Sequence, residues 1–76
     1  MLGVRKVLML NAKRIKVLRD KAGLSRDKLA VLADCNAETI YRIESGRKRH
    51  GNTRTLEGLA RALGVAPGDL LTDSVR

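Results

Sequence analysis

A chain of 76 residues makes one small domain, too short to hold a separate sensory or catalytic domain beside its core. Its formal net charge of +8 is unevenly placed: residues 1–54 carry 14 Lys/Arg against 5 Asp/Glu (+9), and residues 55–76 carry 2 against 3 (−1), a bias that points to a polyanion, nucleic acid first. A single aromatic residue, Tyr41, argues against single-strand and RNA readers that stack bases on several rings, while one cysteine, Cys35, and one histidine, His50, exclude an internal disulfide and a cysteine-based metal site.

Residues 1–10 hold Val4, Val7, Leu8, Met9 and Leu10. The apolar run Val7–Leu10 is too short for a secretory signal and no small-residue cleavage site follows it. No segment is long enough to span a membrane, and the expectation is a cytoplasmic protein. The β-branched and aliphatic character suits a strand, which two copies could pair antiparallel across a twofold axis. An extension of the first helix and a loose arm are the alternatives. The expected organisation is an N-terminal arm or dimerisation strand over 1–10, a folded domain over 11–72 and a tail over 73–76.

From residue 11 onward, apolar residues recur at three and four. Ile15, Leu18 and Ala22 predict a helix over 12–22, with Asn11 as N-cap and Gly23 just past its end. Ser25 caps a second helix, 26–33, which buries Leu29, Ala30 and Ala33. "ADCN" is a tight turn. Asn36 caps a third helix, 37–45, with Ile40 and Ile43 on one side and Ala37, Glu38, Tyr41, Arg42 and Ser45 on the other. Gly46 ends it, and Arg47, Lys48, Arg49 and His50 follow, side chains that repel one another unless something negative lies alongside. A fourth helix runs from Asn52 or Thr53 to Leu63, with Leu56, Leu59, Ala60 and Leu63 inward and Gly58 weakening it. "APGDLL" predicts a last short helix with Pro67 first.

Two short helices joined by a turn of three or four residues, inside an all-α domain, form a helix-turn-helix whose second helix reads the major groove. The stretch "LSRDKLAVLADCNAETIYRIESGRKR", with "LARALGV" downstream, resembles the phage Cro/repressor type of helix-turn-helix, the xenobiotic-response-element family. The resemblance runs from Ala12 to Leu71. It implies a lambda-repressor-like, all-α bundle of about five short helices around a central helix-turn-helix. Four departures stand out: Arg26 where the family usually has Gln, Asp34 where it has Gly, Cys35 in place of a small apolar residue, and a loop "RHGNTRT" without the usual Pro and one residue longer.

The motif assigns roles. On the third helix Ala37, Glu38, Tyr41 and Arg42 are expected to face the bases: Arg42 can donate to guanine or bind a phosphate, Tyr41 can touch a thymine methyl or a phosphate, with a plain exposed surface as the alternative for both, and Glu38 can accept from cytosine or simply favour the helix dipole. Ser25, a helix cap first, and Arg47, Lys48 and Arg49 after Gly46 are expected to meet phosphates, and the resemblance implies that Arg26 lies beside a phosphate or reaches the groove edge; the alternative for Arg47, Lys48 and Arg49 is a solvated basic loop. The family often pairs the positions of Arg19 and Glu44, which implies a structural salt bridge here. The expected function is a sequence-specific duplex-DNA-binding transcriptional regulator, a dimeric repressor on a palindromic operator, with no cofactor, no metal and no enzymatic activity. The alternative is an antitoxin or adaptor whose main partner is another protein.

Overall fold

In a computed structural model, which describes residues 9–72, the chain forms α1 (Ala12–Lys21), α2 (Arg26–Ala33), α3 (Ala37–Glu44) and α4 (Thr53–Leu63), then a single 3-10 turn at Pro67–Leu70 in place of the fifth helix. Every α-helix starts on a side chain that accepts from a backbone N–H three residues on. Asn11 takes Arg14 N at 3.1 Å, Ser25 takes Lys28 N at 3.0 Å, Asn36 takes Thr39 N at 2.9 Å and Asn52 takes Thr55 N at 2.8 Å. Each cap satisfies a donor that the helix itself leaves unpaired and contributes about 1 kcal/mol. Among helices of eight to eleven residues such contributions decide where the ends fall. The first and third helices end one residue earlier than the periodicity predicts. Ala22 is an exposed C-cap rather than part of the buried stripe, because the chain must already turn toward Gly23 there.

Asp34 closes α2 in the left-handed region, at φ 60° and ψ 47°. Glycine, which the resemblance implies at this position, adopts such a backbone without strain. Aspartate tolerates it at some cost, since an L side chain there crowds the following carbonyl.

The core is built from Ile15 on α1, Leu29 on α2, Ile40 and Ile43 on α3, Leu59 on α4 and Leu70, all fully buried. Ala30 and Ala33 on α2 face α4 with small side chains, so the two backbones come close together. Gly58 of α4 is the tightest point: a Cβ there would lie 2.5 Å from the carbonyl oxygen of Ala33. The sequence alone marks Gly58 as a weak residue in a helix, but its value is in packing. Gly58→Ala should therefore destabilise the domain by about 1–3 kcal/mol through overpacking, although alanine is the better helix former by about 1 kcal/mol. A urea or thermal unfolding curve checks this. An equally or more stable variant would mean that α2 and α4 separate without cost.

Leu10 is buried in the same core. Its N–H donates to Arg49 O at 2.7 Å on one side, while Asn11 N donates to Leu70 O at 2.8 Å and Thr72 N to Met9 O at 2.9 Å on the other. Isolated antiparallel bridges join Met9 to His50 and Leu10 to Leu71. The helices thus do not fill the core alone, and Met9 and Leu10 are part of the folded domain, not of a separate arm. This pair of residues thus has chain neighbours on both edges, at 49–50 and at 70–72. The rest of the expected dimerisation strand, residues 3–8, lies outside the described residues. Among the described residues no helix is long and apolar enough to cross a membrane.

Candidate nucleic-acid interface

α3 is held to the core by Ile40 and Ile43, both at 0% exposure. Its opposite side presents Glu38, Tyr41 and Arg42 to solvent. Ala37, expected beside them, is half-buried and packs against the core, so it sits at the base of the face rather than on top of it. Arg42 NH2 and Glu38 Oε2 lie 3.1 Å apart in an i, i+4 pair. Both side chains are mostly exposed, and such a surface pair is worth only about 0.3–0.5 kcal/mol. A stronger acceptor would readily draw Arg42 away from it.

At the C-terminal end of α3 the carbonyl of Arg42 accepts from both Arg47 N at 2.9 Å and Lys48 N at 3.0 Å. This closure needs Gly46 at φ +83°, where a residue with a Cβ would be strained. The chain then runs past Arg49, whose carbonyl is tied to Leu10, to His50, bridged to Met9. Arg42, Arg47, Lys48, Arg49 and His50 line one open depression of about 450 Å³ with no carboxylate among them. His50 lies beside the expected cationic group here. The run "RKRH" signalled it; only the fold shows that Arg42 belongs to both the reading face and this cup.

Glu44 lies beneath the N-terminal end of α2, its side chain 3% exposed. Arg19 grips it with two hydrogen bonds, Nε to Oε2 at 2.5 Å and NH2 to Oε1 at 3.0 Å, and donates NH1 to the carbonyl of Leu24 at 2.7 Å. The hydrogen bond to Glu44 is the main cause that raises the Arg19 guanidinium above its ordinary range, against the opposing effect of burial. A raised cationic group contributes its stability at every pH below the ordinary arginine range and loses it only above. The pair therefore holds throughout physiological pH as far as Arg19 is concerned.

Arg26, expected on a phosphate or at the groove edge, stays about half exposed and leans toward α3. Its Nε donates to Glu44 Oε1 at 3.2 Å, and its guanidinium carbon lies 5.3 Å from the centroid of the Tyr41 ring. Ser25 Oγ is occupied as the α2 cap. Arg19, Ser25, Arg26, Asp27, Ala37, Glu38 and Tyr41 line a second open depression of about 640 Å³ between α2 and α3. Cys35 is half-buried against the core, and its thiol is pushed up chiefly by burial and secondarily by Asp34.

The sequence profile of the family described as "Helix-turn-helix domain" matches residues 12–73. The chain belongs to this family. Its fold is that of the Cro/repressor-type DNA-binding regulators, as the motif implied. The helix-turn-helix domain superposes on the restriction-modification controller protein C.AhdI from Aeromonas hydrophila with a TM-score of 0.73 at 28% identity, over 79% of this chain and 89% of that one. It superposes on the P22 c2 repressor, solved in complex with a synthetic operator, with a TM-score of 0.75 at 24% identity, over 80% of this chain and 91% of that one. Hydroxyethylphosphonate dioxygenase gives a TM-score of 0.76 at 19% identity, but 91% of the helix-turn-helix domain spans only 15% of that enzyme. The last two likenesses show the fold alone. None of the curated proteins is significantly similar in sequence.

Proposed function

We propose that this helix-turn-helix domain is a cytoplasmic transcriptional repressor that binds a specific duplex operator as a homodimer. One observation carries the reading. The exposed side of α3, with Glu38, Tyr41 and Arg42, runs directly into a carboxylate-free cup of Arg42, Arg47, Lys48, Arg49 and His50. A face with hydrogen-bonding groups for base edges, continuous with a patch for phosphates, is what a major-groove reader requires. The controller and repressor relatives support the same reading. One α3 spans only a few base pairs, so adequate specificity calls for two copies on a palindrome. An enzymatic alternative lacks support: one Cys and one His provide no nucleophile–base–orienter set.

A second reading, an antitoxin or adaptor with a protein as its main partner, draws on Val31 and Leu32. They are 72% and 44% exposed on α2. A partner protein that co-purifies stoichiometrically, together with loss of that complex on Val31→Asp, would favour it.

The test of the main reading is selection of bound sequences from random duplex DNA, followed by comparison of the wild type with Arg42→Ala. On the selected site Arg42→Ala should cost about 1–3 kcal/mol, with random DNA less affected. Equal losses on both would make Arg42 a phosphate contact, and failure to enrich any sequence would remove the sequence-specific function.

A further inference from the structure

The geometry points to Arg26 as a base-reading residue, positioned by Glu44 and Tyr41, rather than one more phosphate contact; this rests on the operator-binding function proposed above. Arg26 starts α2, yet its guanidinium lies over the Tyr41 ring, and Tyr41 stands in the middle of the exposed face of α3. The charged head of an α2 residue is thus carried onto the face that enters the groove. Its Nε is held by Glu44 at 3.2 Å, and among the described residues its two terminal amino groups have no hydrogen-bond acceptor. A planar guanidinium held at Nε, with its carbon 5.3 Å from the Tyr41 ring centre, leaves those amino groups as a ready fork. The fork matches O6 and N7 of guanine.

Charge separates the two roles. A phosphate contact draws its strength from uncompensated positive charge. Arg26 has little to offer: it shares the Glu44 carboxylate with Arg19, and Asp27 and Glu38 line the same depression. With Arg42, which pairs Glu38 at 3.1 Å, three guanidiniums there face three carboxylates, so little positive charge is left uncompensated. In the cup at the other end of α3, Arg47, Lys48 and Arg49 have no carboxylate lining the depression with them. A phosphate beside Arg26 meets repulsion that it escapes in the cup. A guanine edge carries no net charge and offers two acceptors, so the same carboxylates do not expel it. Glu44 then has two tasks. It stabilises the buried end of α1 through Arg19, and it sets the angle at which Arg26 reaches the bases.

Selection from random duplex DNA with the wild type, Arg26→Ala, Arg26→Lys and Tyr41→Ala tests this, with the salt dependence of binding measured for each. Arg19 keeps Glu44 paired in all of them, and a thermal melt checks that they fold. The wild-type site should contain a guanine whose preference disappears in both Arg26→Ala and Tyr41→Ala. Affinity for the wild-type site should fall about 10- to 100-fold, with an unchanged salt slope. Arg26→Lys keeps the charge but loses the planar fork and the Nε anchor to Glu44, so it should restore the guanine preference only weakly. Uniform weakening on all duplexes, with a slope shallower by about 0.9 that lysine restores, would overturn the inference in favour of a phosphate contact. A site that Arg26→Ala leaves unaltered would overturn the inference alone. A wild-type chain that enriches no sequence would overturn the proposed function and this inference with it.

Discussion

Glu44→Ala should destabilise the domain by about 3–5 kcal/mol. The substitution does more than remove three hydrogen bonds, two from Arg19 and one from Arg26. It leaves the Arg19 guanidinium, 10% exposed, in the protein with only the Leu24 carbonyl and the more distant Asp20 carboxylate, at 3.6 Å, as partners. Water cannot solvate it fully there, and its long side chain has no open path outward. Small domains retain only about 5–15 kcal/mol of stability in total, and a 76-residue chain sits toward the lower end of that range. Glu44→Ala should thus be largely unfolded well below the melting temperature of the wild type. Arg19→Met combined with Glu44→Leu removes both charges together, and should recover most of the loss, since an apolar pair of similar volume replaces a buried ion pair at little cost. Urea unfolding of the single and double variants reads both. A single variant within about 1 kcal/mol of the wild type would mean that Glu44 is solvated well enough to be dispensable.

Changing Arg47, Lys48 and Arg49 together to glutamine should have the largest effect on DNA binding. The plot of log affinity against log salt should become shallower by about 2.7, at about 0.9 for each phosphate no longer neutralised. All duplex sequences should be weakened alike, because phosphates are the same everywhere. Stability should change by no more than about 0.5 kcal/mol, since the three side chains are exposed and make no ion pair among the described residues. An unchanged slope would reduce the cup to a solvated basic loop.

Much of this architecture can be read directly from local chemistry. Asn11, Ser25, Asn36 and Asn52 announce helix starts because a short polar side chain competes for a backbone N–H wherever it stands. Gly23, Gly46 and Gly64 announce ends because each adopts a positive φ. The face of α3 follows from two isoleucines three residues apart. What stayed hidden depends on residues far apart in the chain coming together. Nothing near Gly58 in sequence says that Ala33 O will lie against it. Leu10 looks like part of an apolar leader until Arg49 and Leu70 come to flank it. Arg26 looks like any exposed residue at a helix start, because its partner Glu44 is 18 positions away. The shared carboxylate is a property of the packed helices, and periodicity carries no trace of it.

If the exposed side of α3 and the adjoining cup form the surface that meets duplex DNA, residue-resolved NMR titration with the selected duplex shows it most directly. The largest shift changes are expected at Glu38, Tyr41, Arg42 and residues 47–50, with the outer side of α4, at Glu57 and Arg61, unmoved. Changes centred on Val17, Val31 or Leu32, with α3 and the cup silent, would contradict this placement of the DNA.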